Sequence, residues 1–384
     1  MKVAILGAGQ LGQMLALAGI PLDIRPFFLD PQHEAPGSRV GPQLLADYTD
    51  HAALDQLARE CQVATFDFEN VPVEAVNHLA RRIPVYPPPR ALEQSQDRLR
   101  EKTLFRSLGI PTAPFQAVDS LAELEAAVNR MGLPAILKTR RLGYDGKGQA
   151  WLRAIADCAP AWHRLGGQDL IVEGVVAFRR ELSLIAVRGR DGQQAFYPLV
   201  ENQHVDGILR LSRPAAPDAA LQAQAEHHGQ RLLEHLDYVG VLALELFDCE
   251  HGLLANEFAP RVHNSGHWTL EGAVTSQFEN HLRAILGLPL GETAASACCA
   301  MRNCIGSLPG LDAVLAIPGT HYHGYGKQPR SGRKLGHITI TAPNAAALVA
   351  RLQALDALLG DRLDSGSSAD GLQAPVAVAS HPKG

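Results

Sequence analysis

Cysteine is scarce in this chain, long apolar runs are missing and charge is nearly balanced; each shortage removes a class of protein. Six cysteines in 384 residues, Cys61, Cys158, Cys249, Cys298, Cys299 and Cys304, lack the C-x-x-C spacing of a zinc site. They are few for the length, so reduced, buried thiols are expected rather than a disulfide framework. No apolar stretch reaches about 18 residues, and the N-terminus enters a strand pattern with no charged leader, so neither a membrane span nor secretion is expected. The expected compartment is the cytoplasm. A net charge of −5 argues against general nucleic-acid binding. No internal repeat is evident. What is present, 46% hydrophobic and 20% charged residues with 35 glycines, describes a folded α/β enzyme. Its length suits two or three domains.

Lys2–Leu6 reads as a buried strand, followed by Gly7-Ala-Gly-Gln-Leu-Gly12 and a helical stretch from Gln13 to Ala18. Ile24–Leu29 and Val63–Phe68 read as strands and His51–Cys61 as a helix, an alternation that implies a parallel sheet. The pattern breaks at Tyr86-Pro-Pro-Pro-Arg90, which sets a boundary near residue 95, before a helix over Ser95–Leu108. Pro134–Thr139 and Asp169–Glu173 read as strands framing a glycine loop, a small α/β lid. Glu181–Val187, Ala195–Val200 and a hairpin over 241–258 suggest a larger antiparallel sheet. A basic turn, a strand at His337–Thr341 and a helix at Ala345–Leu359 follow. The expected units are 1–95, 96–177 and 178–384.

The run Lys138-Thr-Arg-Arg-Leu-Gly-Tyr-Asp-Gly-Lys-Gly-Gln149 points to a nucleoside triphosphate. Its strand delivers Lys138, and Gly143, Gly146 and Gly148 free backbone N–H groups to wrap phosphates. The strand-like Ile171-Val-Glu-Gly-Val-Val176, with Glu173, Gly174, Val175 and Val176, can offer backbone groups to adenine, and Glu181 can accept from ribose hydroxyls. Glu245 and Glu257 lie in two apolar runs separated by Asp248-Cys-Glu-His-Gly252, the pattern of a β-hairpin. A register centred on His251 sets the two carboxylates opposite each other. Like charges so placed are destabilising, and Mg²⁺ bridging to triphosphate oxygens is the natural occupant. Asn256 adds an oxygen donor beside them. A solvated lysine, an ordinary connection and solvent-facing glutamates are the plainer readings of the same residues.

Gly7-x-Gly9-x-x-Gly12 after a strand, with Asp30 ending the next, satisfies the dinucleotide fingerprint. It also fits any anion held at a helix start, or a simple tight turn. Strand carboxyl ends place Gln10, Leu11 and Glu69 on one rim, where a substrate can lie. His263 and His267 are four apart, but Asn264-Ser-Gly266 between them argues for a loop rather than a zinc-binding helix. Lys327, Arg330, Arg333 and Lys334 form a compact basic turn, suited to one phosphate monoester or simply solvated.

These segments resemble the ATP-grasp superfamily, and within it the N5-carboxyaminoimidazole ribonucleotide synthetases of de novo purine synthesis. The resemblance rests on Gly7–Gly12, Phe66-Asp-Phe-Glu-Asn-Val-Pro72, Asp97-Arg-Leu99, Gly143–Gln149, Glu201-Asn-Gln-His204 with Asp206-Gly-Ile-Leu209, Asn256-Glu-Phe-Ala-Pro-Arg261, His263-Asn-Ser-Gly-His-Trp-Thr269 and Gly332-Arg-Lys-Leu-Gly-His337. It implies a Rossmann-like pre-ATP-grasp domain, a small lid and a larger C-terminal α+β domain, in a homodimer. It implies an ATP-dependent C–N ligase that carboxylates 5-aminoimidazole ribonucleotide with bicarbonate and MgATP. Arg98, Lys138, Glu173, Val176 and Glu181, with Gly174, Val175, His204 and Asn256, would hold ATP, and Glu245 and Glu257 would hold Mg²⁺. Gln10, Leu11, Glu69, Tyr144, Asp145 and Asn264 would meet the aminoimidazole ribonucleotide, and Lys327, Arg333 and Lys334 its phosphate. Lys147 would stand beside bicarbonate, and Asp145 would accept the amine proton. Leu142 stands where the family often has glycine, and Asp67 where Glu is common.

In the implied reaction, γ-phosphoryl transfer turns bicarbonate into carboxyphosphate, whose phosphate is a leaving group for attack by the amine. The rivals are a formate-dependent glycinamide ribonucleotide transformylase, a nicotinamide oxidoreductase and a catalytically silent nucleotide-binding protein. His263–Trp268 argues against the first, and Lys138, Glu245 and Glu257 against the others.

Overall fold

The computed structural model describes residues 1–141 and 148–360. Its first sheet is parallel, four strands in the order Gln43–Leu44, Arg25–Leu29, Lys2–Leu6, Val63–Phe66. Lys2–Leu6 is covered on both faces, which is why it reads as an unbroken apolar run. Val3 and Ile5 enter one core with Leu15, Phe278 and Leu282, whereas Ala4 and Leu6 enter another with Leu54, Leu57 and Phe66. The first core also holds Ile185, Val241 and Trp268, so this sheet docks on the largest one through the helix Gln277–Leu286. An ion pair from Glu69 to Arg261 joins the carboxyl edge of the parallel sheet to the loop after residue 260.

Local chemistry moved several expected boundaries. The first helix spans Gln10–Gly19 with Gly9 at its cap, three residues earlier than the pattern indicated. No side chain of the loop itself caps it; the carboxylate of Asp67 accepts from Gly12 N–H at 3.2 Å instead. The helix expected over Ser95–Leu108 is Arg98–Ser107, and a separate helix, Pro89–Ser95, precedes it in the proline-rich segment. Asp97 makes the break, because its carboxylate caps the second helix through Leu99 N–H and Arg100 N–H. The same carboxylate receives Arg140 Nε at 3.1 Å and Nη2 at 2.6 Å. Ala195–Val200 is likewise split between Gln194–Phe196 and Val200–Val205, with Pro198, which has no N–H, in the gap.

The second sheet is antiparallel, in the order Phe115–Val118, Leu170–Gly174, Ala135–Thr139, Gln149–Leu152. Helices Leu121–Met131 and Cys158–Arg164 close its core with Leu124, Val128 and Trp162. The third has nine strands, with Gly252–Ala259, Gly240–Cys249, Arg180–Arg188 and Val200–Val205 as neighbours at one end. Its hairpin turns over two residues, since Cys249 pairs with Gly252, and this register persists to Leu246 opposite Ala255. A bulge then adds one residue to the second strand, so that Leu244 pairs with Phe258 and Ala243 with Ala259. The register expected about His251 therefore holds only beyond the bulge. Glu245 lies at the bulge, against Asn256 and Glu257 together.

Asp97 both caps a helix and pairs a cation, so Asp97→Ala is expected to destabilise the protein by about 2–4 kcal/mol. Urea unfolding at constant m-value measures it. A loss below about 1 kcal/mol would mean that the pair behaves like an exposed one.

Candidate active site

Lys138, near the end of Ala135–Thr139, lies opposite Ile171 on the neighbouring strand. Its Nζ stands 3.0 Å from Glu173 Oε2, and Lys102 Nζ approaches the same oxygen at 3.4 Å. Burial alone would raise Glu173, but Lys138, Lys102 and Arg98 bring it down to about 2. Burial lowers Lys138 in turn, with Lys102 and Arg98 adding to the effect against the pull of Glu173. Three cations surround one carboxylate, an arrangement ready for further negative charge. Lys102 was not singled out from the sequence; it sits on the helix that Asp97 caps and is 2% exposed. Gly148 has a φ of +70° and its carbonyl accepts from Thr139 N–H at 2.8 Å. Gly143, Tyr144, Asp145, Gly146 and Lys147 lie outside the described residues.

Beyond Glu173 the strand ends at Gly174. The N–H groups of Gly174 and Val175 donate to the carbonyls of Pro114 and Pro134, so Val176 carries the first amide past these internal bonds. Glu181 contacts His204 Nδ1. Burial would lower His204, yet Glu181 and Glu245 outweigh it and raise the imidazole, favouring the charged form.

At the bulge, burial and the charge of Glu257 push Glu245 up to about 8 against the opposing effect of His204. His263 Nε2 lies 3.4 Å from Glu245 Oε1. Ser265 N–H donates to His263 Nδ1 at 3.3 Å, which assigns the ring proton to Nε2, facing the carboxylate. Burial lowers His263 well below its usual range, with Arg261 and Lys334 adding to it. Glu101, also unrecognised in the sequence, accepts from Phe258 N–H at 2.7 Å and is raised by burial and by Glu257. Among the described residues no cluster of three or more His, Cys, Asp or Glu could enclose a metal. Two carboxylates at one bulge suit a cation that takes its other ligands from a substrate and water, as Mg²⁺ does. His263 and His267 do not form a zinc pair: His263 caps the short turn Asn264–Gly266, and His267 lies 3.4 Å from Gln277 Nε2.

The loop from His263 to Thr269 is fixed from below. Gln277 accepts from His263 N–H at 2.9 Å and donates to its carbonyl at 2.7 Å. Ser265 Oγ meets Ser183 Oγ at 2.8 Å, and Ser183 continues to Asn202 and Ser212. On this support the Asn264 amide is buried, and among the described residues neither of its polar atoms is hydrogen-bonded, an orphan that points to a ligand. Glu69 and Arg261 pair nearby. Lys327 contacts Gln10 Oε1. Burial lowers Lys327 to about 8, with Arg333 and Lys334 pressing in the same direction. Arg330, by contrast, is exposed.

The glycine loop does not offer a dinucleotide seat. Ala8 N–H donates to Asp30 Oδ2 at 2.8 Å, and Tyr48 holds the same oxygen at 3.2 Å. Asp67 occupies the rest, since a Cβ on Gly7 would fall 1.8 Å from its Oδ1. The amides that would take pyrophosphate are bound to protein carboxylates, and Asp30, which would take ribose, already accepts from Ala8 N–H and Tyr48, which removes the physical basis of the nicotinamide alternative.

Three family models match in tandem: the ribonucleotide synthetase preATP-grasp domain over residues 1–96, the ATP-grasp domain over 103–278 and the phosphoribosylaminoimidazole carboxylase C-terminal domain over 299–351. Fold and site together define an ATP-grasp enzyme. The chain is 52% identical over 359 residues to the N5-carboxyaminoimidazole ribonucleotide synthase of Pseudomonas aeruginosa, covering 94% of this chain and 99% of the relative. The synthetase structure from Thermus thermophilus superposes with a TM-score of 0.91 at 54% identity, covering 94% of this chain and 99% of that one. The Aspergillus clavatus synthase, solved with ADP and 5-aminoimidazole ribonucleotide, gives a TM-score of 0.87 at 31% identity, covering 94% and 98%. The chain belongs to the N5-carboxyaminoimidazole ribonucleotide synthase family.

Glu245 keeps its proton up to about pH 8 in the metal-free fold but releases it near 4.5 when unfolded, so its contribution to stability is lost as pH rises through that window. Glu245→Gln is therefore expected to abolish most turnover yet melt higher than wild type without Mg²⁺ at about pH 8.5, the gap closing towards about pH 5. Thermal unfolding across pH tests this. A severe loss of stability would mark the carboxylate as structural.

Proposed function

We propose that the chain catalyses ATP- and bicarbonate-dependent carboxylation of the amine of 5-aminoimidazole ribonucleotide, via carboxyphosphate, releasing ADP and phosphate. The observation that carries this is the buried, unpartnered Asn264 amide, on the same short segment as His263, which faces the carboxylate bulge. An acceptor seat and a phosphoryl-transfer seat thus share one loop, in a chain whose relative binds ADP and the aminoimidazole ribonucleotide together.

In this reading Arg98, Lys102 and Lys138 neutralise the triphosphate, with Gly143, Gly146 and Gly148 as the loop over it. Val176 meets the adenine edge alongside Glu173, Gly174 and Val175, Glu181 takes ribose hydroxyls, and His204 keeps Glu181 in place. Glu245 and Glu257, with Asn256 beside them, hold Mg²⁺, which when bound stabilises charge on the transferring phosphoryl group. Gln10, Leu11, Glu69 and Asn264 orient the aminoimidazole ribonucleotide, whose 5′-phosphate lies on Lys327, Arg333 and Lys334. Tyr144 and Asp145 contact the acceptor, Asp145 takes the amine proton, and Lys147 holds bicarbonate. The active unit is a cytoplasmic homodimer.

ADP release is expected to need Mg²⁺ and to rise strongly only with aminoimidazole ribonucleotide and bicarbonate together. Equal stimulation by formate with glycinamide ribonucleotide, or turnover of a nicotinamide, overturns the reading. Lys327→Ala and Arg333→Ala should each worsen kcat/KM for the ribonucleotide by roughly tenfold to a hundredfold, the worth of one charge-assisted hydrogen bond, and leave ATP almost unaffected. With the nucleoside lacking phosphate, variants and wild type should be about equally poor. The same loss persisting with the nucleoside would make the turn structural.

A further inference from the structure

The proposed reaction leaves one buried carboxylate of the acceptor rim unused. Gly9 adopts φ −70° and ψ −169°, open to any L-residue, so the backbone does not require glycine there. The space does. A Cβ on Gly9 would stand 2.8 Å from Asp67 Oδ2, and among the described residues outside its chain neighbours it would meet no other group than that carboxylate within 4 Å. Gly7 and Gly12 face the same carboxylate, their added Cβ atoms falling 1.8 Å and 3.1 Å from its oxygens. Gly12 N–H donates to Asp67 Oδ2 at 3.2 Å, and Asp67 is 4% exposed. Three glycines and one carboxylate therefore pack as a unit, with Gln10 and Leu11 between the second glycine and the third. Gln10 in turn contacts Lys327.

Resting on the reading of this rim as the aminoimidazole ribonucleotide site, we propose that Asp67 is its positioning residue. Its carboxylate fills the anion seat of the glycine loop from inside the protein and holds Gln10 and Leu11 at the height where Lys327 and the ribonucleotide meet them. A loop whose amides grip a phosphate elsewhere here grips a side chain, so its job passes from binding ligand to placing two neighbours. The ionisable groups around Asp67 are Asp30, which follows Arg25–Leu29 on the far side of Lys2–Leu6, Tyr48, Arg261 from the opposite loop and Lys327 from the basic turn. Burial pushes Asp67 up to about 7, Asp30 adds to it, and the Gly12 and Gly9 N–H groups and Arg261 act against it. The anchor therefore changes charge near neutrality, beside two cations of the acceptor rim.

The test is steady-state ADP release with the ribonucleotide varied, in wild type, Asp67→Asn, Asp67→Ala, Gly9→Ala and the Gly9→Ala, Asp67→Ala double variant. At about pH 8, Asp67→Asn and Gly9→Ala should each raise KM for the ribonucleotide about tenfold, more than they lower kcat, with KM for ATP within about twofold of wild type. The double variant should be no worse than Asp67→Ala alone, because the new Cβ enters space the carboxylate has left. The KM ratio of Asp67→Asn to wild type should fall towards one by about pH 6, where Asp67 is itself neutral; the substrate's own titration cancels in that ratio. Unchanged ribonucleotide KM in folded Asp67→Asn, equal losses for both substrates, or additive effects in the double variant overturn the proposal. Should Asp67→Ala not fold, the first two criteria still decide through Asp67→Asn and Gly9→Ala. Wild-type release that ignores the ribonucleotide sinks the reaction itself, a result separate from any split among the variants.

Discussion

Glu245 and Glu257 face each other across a bulge in a buried hairpin, and the repulsion between them orders the polar groups around the site. Like charges in register destabilise a sheet, so each neighbour either supplies positive charge or shares a proton. His204 is raised by Glu181 and Glu245, His263 turns its N–H towards Glu245, and Glu101 is raised by burial with Glu257 adding to it. The bulge is what makes the constraint severe. Without the extra residue, the register that starts at Cys249–Gly252 would place Glu245 opposite Asn256 alone.

The same logic runs in reverse at Glu173, where positive charge gathers about one carboxylate. Lys102 and Lys138 share an oxygen of Glu173, and the other oxygen is buried without a hydrogen bond among the described residues. Buried charges are expensive unless paired, and a pair held this tightly contributes more to preorganisation than to stability. Asp97 sets the geometry by capping the helix that carries Arg98, Glu101 and Lys102 and tying it to Arg140. One helix therefore supports both the cation cluster at Glu173 and the strand that carries Glu257, through Lys102 to Glu173 and Glu101 to Phe258.

Several features were legible in the sequence because they depend on residues close together. The strand Lys2–Leu6, the helix Ala345–Leu359 and the hairpin follow from apolar periodicity and turn composition. Lys138 at a strand end and the two glutamates were readable for the same reason, since a charged residue inside an apolar run stands out. Lys102 and Glu101 were not. Their helix, Arg98–Ser107, is polar in composition, and nothing local says that these two charged side chains point into the protein.

The sequence by itself determined strands such as Lys2–Leu6, the hairpin over 241–258 and which carboxylates are out of place. Those are matters of period, glycine content and burial averaged over a few residues. The tertiary structure decided what several motifs are packed against. Gly7–Gly12 fits a dinucleotide loop as text, but the docking of Val63–Phe66 beside Lys2–Leu6 brings Asp67 into the seat, and a side chain 55 residues from Gly12 takes the hydrogen bond. The Glu69–Arg261 pair, the Lys327–Gln10 contact and the unpartnered Asn264 likewise join segments that only packing brings together. Hydrogen bonds and charges act over a few ångströms, and the sequence sets no such distance between distant residues until the cores have closed.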